Sequence, residues 1–485
     1  MSLKREQYLL AFISILILGI QLYALYSDGY GIIHEDEAIY YNGARLFAET
    51  NQPIANHCIA ENVSKIGGYN WYGPFWNVYF GTFLKLIPLG KGILVANILA
   101  SILVGICSVV LIPKKSVLFT ILLLCSFPFT YHQFFLFPEP LILLLSIVNM
   151  VGLVKTINNP TKSALLLFSA FVIIQIPIRI TSVFWLFGII PLISKKNFFP
   201  ISTYILTGFL SSVLFLKFFC ASFIVKGVSD IGNFSFLQIF KISENAMFTV
   251  QRNLANIISE HHPFVIILLI VVLLFFWFTI KKQTEILISF SIIIALSFCI
   301  YFAFYTTQSN FLLKQSIFMW PLLIYGFISE TALKKHIQIS LVAAITMFPL
   351  FLFISIRNIY RHTESYSKYV IQSNIKNSFN SIKNYSASRN SLVVLLNVND
   401  FKEISHLPMF LPVINKQGVP IIYSSNLVNE NSTYNEKYKF HKRLKVDLIL
   451  CPLSEPIAKE RLFLAETTSH FQIATLLNSK SSIDM

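Results

Sequence analysis

Gly73-Pro74-Phe75-Trp76-Asn77-Val78-Tyr79-Phe80-Gly81-Thr82-Phe83-Leu84-Lys85-Leu86-Ile87-Pro88 is the stretch on which the topology of this chain turns. At about 16 residues it is marginal against the roughly 20 that a helix needs to cross a bilayer, and its Trp and Tyr content suits a membrane interface. Parity separates the two readings. If the stretch crosses, Lys114-Lys115, Lys195-Lys196, Lys281-Lys282 and Lys334-Lys335 all face outward. If it lies in the interface, all of them face the cytoplasm, as the positive-inside rule favours. The first external loop, 27–91, is therefore expected to hold two interfacial helices.

That decision orders the rest of the chain. Of 485 residues, 55% are hydrophobic and only 13% charged, against about 25% charged in a soluble domain. With a mean hydropathy of +0.65 and repeated apolar runs, this composition describes a polytopic membrane protein. The net charge of +15 resides largely in short basic pairs between apolar runs, not in an aromatic-interleaved footprint for nucleic acid. The six cysteines show no C-x-x-C spacing, so neither a zinc site nor a disulfide framework is indicated, although a Cys58–Cys451 bridge stays open. The first run, 8–26, follows Lys4-Arg5 without a small-x-small cleavage site and reads as an uncleaved span. Further spans are expected at 92–113, 116–133, 141–155, 198–225, 264–280, 286–305, 315–333 and 337–356. A tight pair or re-entrant hairpin over 163–194, with Pro177-Ile178-Arg179 near its apex, brings the total to about eleven. Residues 1–356 thus form the transmembrane domain. Residues 357–485 turn polar, with short strands expected at 391–396, 419–423 and 446–450, and read as a small external α/β domain. No internal repeat is visible.

The residues fit for chemistry are few. His34-Glu35-Asp36-Glu37-Ala38-Ile39-Tyr40-Tyr41 follows span one, and such a run of carboxylates is costly against hydrocarbon. The helix it opens has Ile39, Gly43, Leu46 and Thr50 on one stripe and Glu37, Tyr41, Arg45 and Glu49 on another. Asp36 falls at its N-cap or first turn, where negative charge is favoured. An acid-capped helix with no further role has equal standing on these residues alone. Glu139 stands between Pro138 and Pro140, and Arg179 and Lys314 lie at the mouths of spans on the same side as Asp36. Separated acids and bases at one membrane face suit an anionic lipid phosphate: cations hold its oxygens, and carboxylates activate an acceptor or bind a divalent metal ion. The bland alternatives are a turn at Glu139 and a snorkelling Arg179. Trp71, Tyr72, Trp76 and Tyr79 read as an interfacial belt before a sugar platform. Arg252 and His261 occupy the external segment 226–263, where the paired His261-His262 is more simply a solvated loop.

Asp36-Glu37-Ala38-Ile39-Tyr40 after span one, the aromatic Tyr72-Gly73-Pro74 segment and Glu139-Pro140 after span three together resemble the GT-C glycosyltransferases. The likeness is to the aminoarabinose lipid A transferase family and its relatives, including protein O-mannosyltransferases. It covers about the first 200 residues by motif and the later spans by layout. Glu139 stands where that family usually has Asp, and no basic residue precedes Pro74. The resemblance implies an all-α GT-C-like membrane fold and an inverting glycosyltransferase. Such an enzyme moves a sugar from a polyprenyl-phosphate donor to a lipid, polysaccharide or protein acceptor on the external, periplasmic face of the inner membrane. Asp36, Glu37 and Glu139 would be catalytic, Asp36 and Glu139 would be the ligands of any metal ion, and Arg179 would meet the donor phosphate. Lys314, Tyr40, Tyr72, Arg252 and His261 complete the expected substrate-binding set. The competing class is a transporter or flippase for a lipid-linked saccharide, for which repeat halves and helices interrupted at mid-membrane are expected.

Overall fold

The computed structural model describes residues 19, 35–53, 74–87, 91–111, 119–120, 122–123, 138–193, 197–219, 247–255, 263–304 and 317–330, and the strands of the C-terminal part. The chain divides into two compact units, one of 1–26, 94–218 and 225–357, the other of 27–93, 219–224 and 358–485.

In the second unit, helix α1 (Glu35–Thr50) packs on helix α2 (Phe75–Leu86). At 12 residues α2 is about 18 Å long, too short to cross a hydrocarbon core of about 30 Å. A helix therefore forms within the deciding stretch, at the length that the interfacial reading requires. α1 closes at Asn51, whose φ of 60° is the left-handed conformation that Asn tolerates. The Asn51 amide donates to Phe47 O at 2.9 Å, and its side-chain oxygen accepts from Lys85 Nζ. The Lys85 ammonium also lies 4.6 Å from the Phe47 ring centre.

The two helices approach where side chains vanish. A Cβ on Gly81 would lie 2.6 Å from Phe47 Cδ1 and 2.7 Å from the Ala44 carbonyl oxygen, and one on Gly43 would strike Asn77 Oδ1. Buried Asn77 donates to Pro53 O at 3.2 Å, which fastens the chain leaving α1 to α2. Because the Ala44 oxygen is backbone and cannot swing aside, Gly81→Ala is expected to cost about 1–3 kcal/mol. A thermal melt of the purified protein, showing a lowered Tm, checks it.

The first unit holds the long helices: most of α3 (Lys91–Leu111), then α4 (Glu139–Asn158), α5 (Lys162–Ile174), α6 (Phe198–Phe219), α7 (Pro263–Lys282) and α8 (Glu285–Phe304). These ranges fall within a few residues of the expected spans, except α6, whose described part stops short of 225. The spans expected at 8–26 and 337–356, and most of 116–133, lie outside the described residues. Among the described residues, α4 and the 198–215 part of α6 are long and apolar enough to cross a membrane. α6 turns Phe199, Leu206, Phe209 and Leu210 outward, each more than half exposed. The α7–α8 connection is tight. Gln283 takes φ 51°, Thr284 Oγ1 accepts from Leu287 N at 3.3 Å, and Lys281 and Lys282 end α7 where cations suit the helix dipole.

Where a hairpin is expected, α4, α5 and a 3₁₀ helix (Ile180–Leu192) follow one another. Thr161 caps α5, accepting from Ala164 N at 3.1 Å. The 13 residues of α5 give about 20 Å of rise, short of a full crossing. The turn at 175–178 then reverses the chain. Gly188 lets the 3₁₀ helix sit close to its neighbours, since a Cβ there would lie 2.7 Å from Leu153 and 2.8 Å from Ile293. The segment expected as one span at 315–333 is helical throughout its described part, passing from a 3₁₀ turn (Ile317–Met319) through α9 (Trp320–Tyr325) to a π turn (Gly326–Glu330), with Gly326 keeping helical backbone (φ −60°, ψ −46°). Pro321 sits in the first turn of α9, where its missing N–H costs nothing.

The C-terminal part forms a five-stranded sheet ordered β2-β1-β4-β6-β5 and a separate antiparallel pair of β3 (Arg443–Leu444) and β7 (Ile483–Asp484). β1 (Val393–Leu396), β2 (Ile421–Ser424) and β4 (Leu448–Pro452) are parallel and meet the three expected strands. β5 (Leu462–Thr467) and β6 (Phe471–Leu476) form an antiparallel pair with an irregularity between Leu464 and Glu466. These two went unread in the sequence. Parallel pairs require long crossovers, which lie outside the described residues.

Candidate functional site

Glu139 and Arg179, 40 positions apart in sequence, meet as a buried ion pair in the first unit. Arg179 Nη1 lies 3.7 Å from Glu139 Oε1, with side chains 7% and 0% exposed. Each end of the pair has a local cause. Pro138 precedes α4 and Pro140 occupies its first turn, so Glu139 opens the helix. There the unpaired backbone N–H groups favour a negative charge. The Pro138 oxygen accepts from Leu141 N at 3.0 Å and Ile142 N at 3.1 Å, fixing the entry. Across from it, Arg179 has extended backbone (φ −150°, ψ 115°) and begins the 3₁₀ helix. Its carbonyl accepts from Ser182 N at 2.9 Å.

A polar track leads from this pair along α4. Glu139, Ser146 and Asn149 lie on the same side of the helix by the 100° step, and all are buried. Asn149 and Gln175 exchange two hydrogen bonds, Nδ2 to Oε1 at 2.8 Å and Nε2 to Oδ1 at 2.9 Å. Asn149 lies ten residues along α4 from Glu139, or about 15 Å. α5 runs back along α4, with Phe168 near Gly152 and Gln175 on Asn149, and Arg179 continues toward the Glu139 end before the 3₁₀ helix returns to Leu153.

Chemically, a guanidinium fork suits two phosphate oxygens, and the pairing lets both charges stay buried. At 3.7 Å the contact is an ion pair beyond hydrogen-bond range. Among the described residues, no group of three or more His, Cys, Asp or Glu gathers. A carboxylate already facing a guanidinium is a poor ligand for a divalent cation.

The other expected residues fall as follows. Asp36 and Glu37 stand in the first turn of α1, in the second unit. Tyr40 is 1% exposed, its ring edge-on to Trp76 at 6.4 Å and Phe80 at 6.3 Å. Gly43 and Leu46 of the expected stripe are buried, together with Tyr40 and Ala44. Trp76 is likewise fully buried and not part of an interfacial belt; it stacks on Phe80 at 5.8 Å. Burial pushes the Tyr79 phenol up to about 12, so it stays a neutral hydroxyl. Arg45 pairs with Glu49 at 3.8 Å. Arg252 is exposed on a helical segment at 247–255. Tyr72, His261 and Lys314 lie outside the described residues. The Asn149–Gln175 pair was not anticipated, although two amides in apolar runs were the signal available.

No protein-family model matches the chain, and no curated protein matches it. Solved structures similar to it include two of one enzyme. One is the apo state of ArnT from Cupriavidus metallidurans, 9% identical, covering 95% of this chain and 97% of that one, TM-score 0.49. The other is ArnT from Cupriavidus metallidurans bound to undecaprenyl phosphate, 10% identical, covering 96% of this chain and 98% of that one, TM-score 0.49.

Proposed function

We propose that this protein is an integral-membrane glycosyltransferase that moves a sugar from a polyprenyl-phosphate donor to an envelope acceptor on the external face. The observation that carries the proposal is the buried Glu139–Arg179 pair, with Glu139 at the first turn of a helix long and apolar enough to cross a membrane. A buried arginine with a carboxylate partner is costly in hydrocarbon and marks a functional site by default. On this reading the donor phosphate enters the guanidinium fork and competes with Glu139 for it. The carboxylate so released accepts hydrogen bonds from other hydroxyls of the bound sugar, and Arg179 stabilises the departing phosphate. Asp36 takes the acceptor proton, with Glu37 beside it in the first turn of α1. The sugar's anomeric carbon exchanges its phosphate oxygen for the acceptor oxygen with inversion. The outward apolar faces of α6 support a bilayer setting, as do the basic pairs between spans. About eleven spans, interfacial helices in 27–91 and an external α/β domain at 357–485 belong to the same reading.

Incubating the purified protein with a labelled polyprenyl-phosphate sugar and envelope extract tests it. Label moving to an acceptor supports a transferase. Movement of the intact lipid-linked sugar across a vesicle, with no bond made, would instead identify a transporter.

Topology is tested separately. With cysteines introduced singly, position 400 is expected to react with an impermeant maleimide in intact cells, while positions 114 and 281 stay protected. The reverse pattern would place the pair on the wrong face for this reaction.

A further inference from the structure

We propose that the Asn149–Gln175 amide pair is the positioning element of the anion-binding arginine, setting the register of the hairpin turn against α4 so that Arg179 meets Glu139. Gln175 works in two directions. Its side chain is locked to Asn149 by both hydrogen bonds, at 2.8 and 2.9 Å. Its backbone oxygen accepts from Arg179 N at 2.9 Å and from Ile178 N at 2.9 Å. One residue thus couples the middle of α4 to the backbone of the arginine. Asn149 is 1% and Gln175 3% exposed, so water does not compete for the amides.

Apolar contacts alone would hold the turn without specifying its register, because apolar surfaces attract without direction. Sliding the turn by one residue would leave both amides buried and unpaired, which is expensive where nothing else can hydrogen-bond them. Only one register satisfies the pair, and in that register Arg179 faces Glu139. Asn149 and Gln175 are therefore positioning residues and need touch no substrate.

The stability arm of the test does not depend on the proposed function. In the full-length protein in detergent, the Tm shift caused by Glu139→Gln is measured in the wild-type background and in N149L/Q175L. Leucine at both positions removes the amides together, a change that can be nearly neutral for stability. If the amides place Arg179, the E139Q shift falls to less than half in the leucine background. An equal shift in both backgrounds overturns the inference. Should the leucine pair fail to fold, Q175M supplies the same comparison at matched length. The swap N149Q/Q175N keeps an amide pair and is expected to retain the wild-type E139Q shift. A shift as small as in the leucine pair would mean that side-chain volume sets the register, and overturn the proposal.

The binding arm rests on the proposed function. Undecaprenyl phosphate in detergent micelles is expected to bind N149L/Q175L about 10- to 100-fold more weakly, as removing outer-shell partners does at other ion sites. Unchanged affinity overturns the positioning role. Wild-type protein that binds no undecaprenyl phosphate removes the proposed function instead, and the stability arm then decides the inference alone.

Discussion

Arg179→Ala is expected to abolish binding of polyprenyl phosphate and, at the same time, to cost the fold about 3–5 kcal/mol, the range for removing one member of a buried ion pair. Read from its sequence position, Arg179 would lose donor affinity far more than stability. The pair changes that expectation. With Glu139 fully buried and 3.7 Å away, truncating the arginine leaves a carboxylate with lost compensation. The two losses separate in E139Q/R179M. Replacing both charges by groups of similar volume is often neutral, so this variant is expected to regain most of the melting temperature and none of the donor affinity. Arg179→Lys keeps the charge but not the fork, and its affinity should fall between. Melting curves and titration with undecaprenyl phosphate read both quantities on the same samples. An E139Q/R179M protein that is stable and still binds the lipid normally would make the pair a structural element only.

Asp36→Asn is the second large effect. If Asp36 accepts the acceptor's proton, turnover should fall by about 10²- to 10⁴-fold, the usual contribution of a general base, with donor binding largely kept. Asn caps a helix about as well as Asp, so the substitution spares whatever Asp36 does for α1 itself. That makes it a clean discriminator. A helix whose acid serves only its own end would show near-normal transfer and an unchanged Tm. Glu139→Gln should lower turnover in the same direction.

Much of the molecule was legible in one dimension because hydrocarbon imposes a one-dimensional rule. Runs of apolar residues near 20 long, cut by lysine pairs and prolines, marked α3, α4, α7 and α8 to within a few residues. The short aromatic stretch before Pro88 held a helix too short to cross. Prolines on both sides of Glu139 announced the start of α4, and Pro177-Ile178-Arg179 announced a reversal. Those signals are local: they depend on backbone geometry and solvation that neighbouring residues alone dictate. The same reasoning went wrong where the decision belonged to a partner elsewhere in the chain. Trp76 has the composition of an interfacial aromatic, and only the close crossing at Gly43 and Gly81 turned it into core. Above all, Glu139 and Arg179 were expected from sequence at span mouths on one membrane face, but not against each other. Their meeting depends on where the hairpin turn stops along α4, and that depth is decided by Gln175 finding Asn149. Such a contact has no trace in composition or periodicity, since it comes into being only when two helices share one buried interface.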